Sequence, residues 1–299
     1  MQTAKKILMV RPAHFTFNEE TAKNNHFQKK TSLLDLNERA LKEFDNFVDV
    51  LRKNKVDVVV VQDTREPHTP DSIYPNNWFS THSTGELILY PMFAKNRRLE
   101  RKPLVIETIK EHFKPHKTID LTSWEDKNRF LEGTGSMILD HKNRVAYACR
   151  SERTDDIVME EFYTKMNTEP EIFNAYDENG KNIYHTNVML SIGEKFAVIC
   201  AESITDQKRR ENVINRLKNS KKEVIEISFE QMKCFCANII EVRNSQNKHM
   251  LIMSETAKNA FSRDEINILK RNCKIISSPL ATIEHVGGGS ARCMIAEIF

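Results

Sequence analysis

The sequence has no long apolar run, little excess charge and no glycine-rich nucleotide fingerprint, and each absence excludes a class of protein. No segment approaches the roughly 20 consecutive apolar residues that a membrane-spanning helix needs. Lysine and arginine number 45 against 42 acidic residues, so the net charge of +3 favours neither a nucleic-acid surface nor a long charged tail. Because GxGxxG and Walker sequences are absent, a doubly wound nucleotide-binding sheet is disfavoured.

The sequence also lacks a secretory signal and a metal-binding cysteine pattern. Arg11 and Pro12 interrupt the first apolar stretch before a signal-peptide core can form. Six scattered cysteines in such a chain are expected to be reduced thiols of a cytoplasmic protein. The only close pair, Cys234 and Cys236, has no second pair or histidine cluster, so zinc is not expected.

One pattern recurs along the chain at intervals of roughly fifty residues, which is typical of a repeat architecture. Each copy has an apolar strand, a polar turn, a second apolar strand and a charged loop into an amphipathic helix. The turns at residues 140–143 and 193–195 fit hairpins, and helical periodicity follows at residues 206–217 and 264–269. Four copies are complete.

A fifth copy is incomplete, and its completion predicts how the chain closes. It has only a first strand, expected over residues 290–299, and the N-terminal residues 7–11 are expected to supply the second. The two chain ends would then pair and close a ring, which removes two exposed sheet edges. The pattern therefore predicts an α/β fold: a single domain over residues 1–299 forming a five-bladed propeller of ββαβ-type repeats.

The repeat predicts which residues meet in the centre of the ring. Equivalent positions of each unit should face one axis, and these positions are Asn77, Gly135, Asn187, Asn238 and Ser290. Four of the five carry hydrogen-bonding side chains, where a packed core would prefer valine or leucine. Glu132, His185 and Cys293 lie within three residues of these positions.

Cys293, His185 and Glu132 together indicate nucleophilic catalysis. Cys293 follows the glycines 287–289, whose backbone N–H groups could stabilise a thiolate. His185 suits protonation of a leaving nitrogen and activation of water, and Glu132 would orient His185 or hold a cationic part of a substrate. Taken singly, the three could be a buried small hydrophobe, a core histidine and a turn carboxylate. Their convergence on one pocket favours catalysis.

Similarity to a known superfamily runs through four segments: Tyr90-Pro91-Met92 with Arg97-Arg98-Leu99-Glu100, Phe130-Leu131-Glu132-Gly133, Tyr184-His185-Thr186-Asn187, and the glycine-rich segment ending at Cys293. Over nearly its whole length the chain resembles the guanidine-modifying, or amidinotransferase, superfamily, whose fold is the five-bladed α/β propeller called the pentein. The resemblance implies that Glu132, His185 and Cys293 are the catalytic residues. It also implies that Arg97 grips the α-carboxylate of the substrate.

Two departures from the superfamily pattern bear on the substrate. Arginine deiminases clamp the guanidinium with two aspartates, and the corresponding positions here are Asn77 and Asn187. A guanidinium offers only donors and suits carboxylates. A ureido group is neutral with a carbonyl acceptor, to which an amide offers both a donor and an acceptor. With Asn76 as a further substrate contact, the two asparagines predict citrulline, as in the citrulline-utilisation hydrolases that the chain resembles.

The implied reaction is attack by Cys293 on the ureido carbon, followed by hydrolysis to ornithine, ammonia and carbon dioxide without a metal or organic cofactor. Arginine deimination, arginine dihydrolysis and amidino transfer stay open, since the same three residues serve them all. A propeller-shaped translation factor would predict a basic patch and no such trio. The expected partner is a small molecule, not a nucleic acid or a membrane, and a homo-oligomer stays open.

The polar stretch 17–30 interrupts the first repeat, and its residues 24–28 are interpreted as an ordinary surface loop, with a mobile lid near the pocket as the alternative. Further residues that could line the pocket are Asp63, Asp71, His82 and Arg243.

Overall fold

Fifteen strands form five three-stranded sheets of one topology in the computed structural model, which describes residues 1–299. In each sheet an antiparallel pair is followed by a third strand that lies parallel to the middle one. The first sheet consists of β15 (Ala296–Ile298), β1 (Lys6–Arg11) and β2 (Asp57–Gln62). The others are β3 (Phe79–Thr81), β4 (Glu86–Leu89) and β5 (Lys117–Asp120); β6 (Met137–Asp140), β7 (Val145–Cys149) and β8 (Glu169–Phe173); β9 (Leu190–Ile192), β10 (Phe196–Ile199) and β11 (Glu223–Glu226); and β12 (Ile240–Arg243), β13 (His249–Ser254) and β14 (Lys274–Ser278).

Ten helices lie in the connections between strands. Seven of them connect the middle strand of a sheet to its parallel strand: α1 (Leu36–Lys53), α2 (Lys95–Arg98), α3 (Pro103–Phe113), α5 (Asp156–Met166), α6 (Gln207–Asn219), α8 (Glu255–Ala260) and α9 (Arg263–Asn272). The other three precede the first strand of the next sheet: α4 (Gly133–Ser136), α7 (Phe229–Lys233) and α10 (Ala281–Gly287). Ser228 and Ser262 begin α7 and α9 with complete capping boxes. Each such cap contributes about 1 kcal/mol to helix stability.

The core lies between the helices and the sheets. Phe44, Phe47 and Leu51 are fully buried on one face of α1, where they pack with Ile7 and Met9 of β1. Burying an aromatic or leucine side chain stabilises the fold by roughly 1.5–3 kcal/mol. The predicted helices at 206–217 and 264–269 are present as α6 and α9, and the predicted turns join β6 to β7 and β9 to β10.

The closing strand is shorter than the sequence predicts. The prediction covered residues 290–299, but β15 begins at Ala296, and Cys293 lies in the turn 291–294. The N–H groups of Arg292 and Cys293 donate to Oδ1 of Asn238 at 3.1 and 3.4 Å, so they do not join a sheet ladder. After this turn β15 pairs antiparallel with β1, with Leu8 opposite Ala296.

None of the helices is both long enough and apolar enough to cross a membrane.

Candidate active site

Residues from the equivalent repeat positions contact one another at the end of the strands. Asn77 and Asn187 lie in the 3-10 turns Pro75–Asn77 and Thr186–Val188, each separated by one residue from its strand, β3 or β9. Asn238 lies two residues before the first residue of β12. The side chains of Asn187 and Asn238 both reach Cys293, although they are 106 and 55 residues from it in sequence.

Cys293 is buried and its sulfur is held by two carboxamides. Its Sγ accepts hydrogen bonds from Nδ2 of Asn187 at 3.3 Å and from Nδ2 of Asn238 at 3.1 Å. Its own backbone N–H donates to the carbonyl of Ser290 at 3.0 Å, which tightens the turn. Donors directed at a sulfur favour the thiolate, which is the nucleophilic form of cysteine.

His185 and Glu132 form a buried pair beside this turn. Nε2 of His185 lies 2.8 Å from Oε2 of Glu132, and neither side chain is more than 3% exposed. Because an ionised carboxylate only accepts hydrogen bonds, Nε2 carries a proton and Nδ1 of the neutral imidazole is left as the acceptor. Glu132 is fixed further by the backbone N–H of Phe93, which donates to Oε1 at 3.0 Å.

The charges around the pair set its protonation. Burial alone would raise the pKa of Glu132, but Arg153, His185 and Arg97 outweigh it and hold that pKa well below its usual range. Burial lowers the pKa of His185 to about 4, against the opposing pull of Glu132. At neutral pH the site therefore holds a carboxylate and a neutral imidazole that can accept a proton.

Gly135 sets the spacing between His185 and Asn77. A Cβ at this position would lie 2.4 Å from Nδ2 of Asn77 and 2.8 Å from Nδ1 of His185. A Cβ atom does not approach non-bonded heavy atoms this closely, so any larger residue would displace one of the two side chains. The glycine brings the amide donor and the imidazole acceptor to opposite sides of one small space.

The structure gives Arg97 partners other than the one expected from the resemblance. Its guanidinium is 2% exposed and binds both carboxylate oxygens of Glu100 at 2.8 and 3.0 Å. The remaining contacts go to Oδ1 of Asn77 at 2.7 Å and to the carbonyl of Tyr74 at 3.0 Å. Arg97 is thus tied to protein groups and fixes the orientation of the Asn77 amide.

Several buried polar atoms around this space have no hydrogen-bond partner in the protein. They are Nδ2 of Asn77, Oδ1 of Asn187, Oδ1 of Asn76 and Oδ1 of Asp71. Asn76 otherwise contacts only Thr134 through its side chain, at 3.4 Å. Since a buried polar group without a partner costs about 1–3 kcal/mol, these atoms mark places where a polar ligand would bind favourably.

Arg153 is a component that the sequence did not reveal. Its buried guanidinium lies 3.3 Å from Oε2 of Glu132 and 4.9 Å from the ring centre of Tyr184. It also donates to Oδ1 of Asn24 and, at 3.0 Å, to the carbonyl of Thr21. Its only sequence signal is its place just after β7, which does not distinguish it from the neighbouring Arg150.

The stretch 17–30 contacts the glycines that precede Cys293, so it is not a plain surface loop, and its role as a lid stays a prediction. Asn25 is buried and directs Nδ2 toward the carbonyls of Gly287 and Gly288, both at 3.4 Å. The N–H of Lys29 donates to the carbonyl of His285 at 2.7 Å. These contacts place the segment over the glycines that precede Cys293.

The further pocket candidates divide. Asp71 belongs to the site, with Oδ2 3.9 Å from Nε of Arg97. Asp63 is instead paired with Lys102 at 2.7 Å, and His82 is hydrogen-bonded to Ser80 at 2.8 Å. Arg243 pairs with Glu194 at 2.8 Å, away from the other candidates.

Arg243 belongs to a cluster in which Glu194, Glu241 and His249 have potential metal-ligand atoms within 4.8 Å of one another. His249 bonds to Glu241, and Arg243 bonds to Glu194. Because both carboxylates have charged or hydrogen-bonding partners in the protein, the cluster is an ion-pair network that joins the turn after β9 to the β12–β13 hairpin. It shares no residue with the trio.

A groove of about 500 Å³ is lined in part by His26, Phe27 and Lys29 of the stretch 17–30. Phe27, Phe229, Met232 and Phe235 form its apolar part. Cys293, His185 and Glu132 do not line it, so this groove is separate from the trio.

The five-sheet fold is that of the pentein superfamily of hydrolases that act on the C–N bonds of guanidino and ureido compounds. Within it, the family described as N,N dimethylarginine dimethylhydrolase, eukaryotic, matches residues 11–299. The chain belongs to this family. None of the curated protein sequences matches it.

Solved structures with the same fold include an arginine dihydrolase and a DDAH. The unliganded arginine dihydrolase ArgZ, from the ornithine-ammonia cycle in cyanobacteria, is 18% identical with a TM-score of 0.72, over 98% of this chain and 39% of that one. An N-terminal-domain variant of ArgZ covalently bound to a reaction intermediate is 18% identical with a TM-score of 0.74, over 98% and 97% of the two chains. A variant of the DDAH from Pseudomonas aeruginosa, complexed with citrulline, is 16% identical with a TM-score of 0.70, over 98% and 99%. This chain thus spans well under half of full-length ArgZ.

Proposed function

We propose that this protein hydrolyses the ureido group of citrulline to ornithine, ammonia and carbon dioxide through a covalent intermediate on Cys293. The observation that carries the proposal is the orientation of the Asn77 amide. Arg97 donates to Oδ1 of Asn77 at 2.7 Å, so the free atom that faces the site is the donor Nδ2. Asn77 can therefore offer a substrate only N–H groups.

A ureido group matches these atoms and a guanidinium does not. The ureido oxygen is an acceptor that can take the N–H of Asn77, whereas every guanidinium nitrogen carries hydrogens that would oppose it. The free Oδ1 of Asn187 can accept from a ureido N–H, because Nδ2 of that amide is directed at Cys293. The two asparagines thus provide one donor and one acceptor for a neutral planar group.

The amino-acid end of the substrate requires opposite charges. We assign its α-carboxylate to Arg153, whose partners Asn24 and Thr21 belong to the stretch 17–30 and would be exchanged for substrate oxygens. The free Oδ1 of Asp71 suits the α-ammonium. In this proposal Arg97 orients Asn77 in place of the carboxylate contact that the resemblance implied.

The chemistry begins with transfer of the Cys293 proton to Nδ1 of His185 and attack of the thiolate on the ureido carbon. The oxygen of the tetrahedral intermediate accepts a hydrogen bond from Nδ2 of Asn77, and this bond strengthens as negative charge develops on the oxygen. The imidazolium then protonates one nitrogen, the C–N bond breaks, and a carbamoyl thioester remains on Cys293.

Water completes the reaction. His185, neutral again, takes a proton from water as the hydroxide attacks the thioester carbon and expels the thiolate. The carbamic acid or carbamate that leaves breaks down to an amine and carbon dioxide. Either nitrogen can depart first, and one citrulline and one water give one ornithine, one ammonia and one carbon dioxide in both cases.

The family assignment favours a second candidate, hydrolysis of Nω,Nω-dimethylarginine to citrulline and dimethylamine. Arginine, the substrate class named for the structurally similar ArgZ, is a related possibility, and amidino transfer would use the same nucleophile. The carboxylates of Glu132 and Asp71 would suit a cationic guanidinium. The donor presented by Asn77 opposes it.

We also infer that the five sheets are arranged as a propeller around this site. The first strands support this, since β15 contacts β3, β6 contacts β9, and β9 contacts β12. Pairing of β1 with β15 joins the two ends of the chain, as a closed ring requires.

Product analysis tests the function directly. Purified protein is incubated separately with citrulline, arginine and Nω,Nω-dimethylarginine, and ornithine, citrulline, ammonia and dimethylamine are measured, with Cys293→Ser as the blank. Ornithine and ammonia from citrulline are expected. If citrulline accumulates from arginine or from Nω,Nω-dimethylarginine and citrulline itself is not hydrolysed, the proposal is wrong.

Asn77→Asp sharpens the result. An aspartate keeps the contact with Arg97 but turns an oxygen toward the substrate, so kcat/KM for citrulline should fall about 10- to 100-fold and the ratio for arginine over citrulline should rise. Asn244→Asp, at a buried asparagine in the turn after β12, is the matched control and should leave both values unchanged. An unchanged ratio in Asn77→Asp would contradict the assignment of Asn77.

A further inference from the structure

Asn238 contacts the nucleophile in two ways and has no role in the chemistry described above. The residue is 1% exposed. Its Oδ1 accepts the backbone N–H groups of Arg292 and Cys293 at 3.1 and 3.4 Å. Its Nδ2 donates to Sγ of Cys293 at 3.1 Å and to the carbonyl of Asn187 at 3.2 Å.

These four contacts determine which way the amide points. Two backbone N–H groups on one side require an oxygen, and a backbone carbonyl on the other side requires an N–H. The amide cannot rotate without placing donor against donor and acceptor against acceptor. Nδ2 is therefore held against the sulfur.

A fixed donor at this position favours the thiolate over the thiol. An ionised acceptor makes a hydrogen bond roughly twice as strong as a neutral one does. In a buried site water does not compete for this bond, so the preference for the thiolate is retained. The second donor is Nδ2 of Asn187. The backbone of Asn187 is held in place because its carbonyl accepts a hydrogen bond from Nδ2 of Asn238. One residue thus supports both donors that reach the sulfur.

The other titratable and charged groups around Cys293 do not replace this support. Burial raises the pKa of Tyr74 and of Tyr184, so both phenols stay neutral. The imidazole of His185 is neutral and bonded to Glu132, and the guanidinium of Arg153 also lies against Glu132. The side chain of Arg292 turns away, toward the carbonyl of Ile295.

We propose that Asn238 is the positioning residue of the nucleophile, whose carboxamide holds the turn at Cys293 and, with Asn187, stabilises the thiolate. The inference rests on the proposed role of Cys293 but not on the identity of the substrate. Its tests need no substrate, so its failure can be told apart from failure of the proposed function.

The pH dependence of alkylation by iodoacetamide tests the proposal. The rate is followed on the peptide that contains Cys293 by mass spectrometry, because Cys234 is more exposed than Cys293 and will react as well. Asn238→Asp keeps the acceptor for the turn but places an oxygen against the sulfur. We expect the midpoint of the profile to rise by more than about one pH unit, with a rate at pH 7 at least about tenfold lower. Asn238→Ala should shift the midpoint in the same direction by less.

Asn244 provides the matched control for these variants. It is 2% exposed, its Oδ1 accepts the N–H groups of Gln246 and Lys248, and its Nδ2 donates to the carbonyl of Asn54. Asn244→Asp therefore makes the same change, an oxygen in place of the amide donor with the turn acceptor kept, away from any thiol. It should lower the unfolding temperature but leave the alkylation midpoint unchanged. If the Asn238 variants unfold cooperatively and keep the wild-type midpoint, the proposal is wrong.

A measurement on the wild-type protein removes any dependence on how the variants fold. The protein is labelled with ¹⁵N-asparagine, and the side-chain amide signal of Asn238 is assigned as the one that Asn238→Ala lacks. This signal should shift with pH at the alkylation midpoint. If the assignment fails, the amide signals that depend on Cys293 are followed as a group. The shift should vanish in Cys293→Ser. Side-chain amide signals that stay constant while Cys293 titrates would overturn the proposal.

Discussion

Gly135 shows how a single missing side chain sets the geometry of the site. Asn77 cannot retreat from a Cβ there, because Arg97 holds its oxygen at 2.7 Å, and His185 is held by Glu132 at 2.8 Å. Residue 135 must therefore lack a side chain if the amide donor of Asn77 and the imidazole acceptor of His185 are to face the same group of the substrate.

Gly135→Ala is expected to lower kcat/KM at least about 100-fold, because displacing either side chain by about 1 Å misplaces a reacting group. The measurement is steady-state kinetics alongside thermal unfolding. Gly193→Ala is the control: its Cβ would meet the ring of Phe196 at 2.3 Å, an equally severe contact in the turn after β9. It should lose stability but keep its activity per folded molecule. Similar kinetic losses in both variants would remove the special role of Gly135.

Residue types could be predicted here more readily than the atoms that each residue presents. The repeat placed Asn77 and Asn187 in one region, and their contacts around Gly135 and Cys293 agree with it. Which end of the Asn77 amide faces the site depends on Arg97, whose partners lie up to 23 residues away. Arg153 escaped prediction because its partners Asn24 and Thr21 are about 130 residues earlier, and no local pattern encodes such contacts.

The stretch 17–30 is the element whose contacts its amino-acid composition predicts least. Its polar composition is typical of a surface loop, yet its polar groups are used against the carbonyls that end α10. Gln28 donates to Val286 at 3.4 Å, and Lys29 donates to His285 at 2.7 Å. Composition predicts that a segment is polar but not which backbone groups its side chains satisfy.

Gly288 is where this segment comes closest to the loop before Cys293. Its φ is +63°, and a Cβ would lie 2.8 Å from the backbone nitrogen of Gln28. Gly288→Ala should therefore push the segment away, so trypsin should cleave at Lys23, Lys29 or Lys30 several-fold faster and the KM should rise.

Gly180→Ala separates this effect from backbone strain. Gly180 has a φ of +75° but nothing within 4 Å of its Cβ position. Both variants should lose about 1 kcal/mol of unfolding free energy from the left-handed backbone, whereas only Gly288→Ala should change proteolysis. Equal proteolysis rates in the two variants would show that the segment does not depend on this close contact.

At the level of strands, alternation and turn residues predicted the hairpins well because those signals are local. The closing strand was predicted too long for a different reason. Residues 290–295 are apolar enough for a strand, but Asn238 takes the N–H groups of Arg292 and Cys293. A long-range side-chain contact thus converts strand sequence into the turn that holds the nucleophile.

The closure of the whole molecule brings a buried histidine close to the C-terminus. Thr81 of β3 donates to the carbonyl of Glu297 at 2.8 Å and accepts the N–H of Phe299 at 3.2 Å. The next residue, His82, is 5% exposed, and its ring lies 5.8 Å from that of His141, which packs against Phe299. Burial lowers the pKa of His82 to about 4.

This histidine should make the folded protein sensitive to acid. Below about pH 6.5 the unfolded chain binds a proton at His82 that the folded protein does not bind until about pH 4, so the free energy of unfolding falls as the pH drops through that window. At about 1.4 kcal/mol per pH unit, His82 alone lowers the free energy of unfolding by about 3 kcal/mol at pH 4.

His82→Phe tests this, because phenylalanine keeps a ring but cannot be protonated. The unfolding free energy of this variant, measured by urea denaturation, should vary less steeply between pH 6.5 and 4 than that of the wild type. The exposed His112, replaced in the same way, should leave the slope unchanged. Equal slopes in wild type and His82→Phe would mean that His82 is already charged in the folded protein.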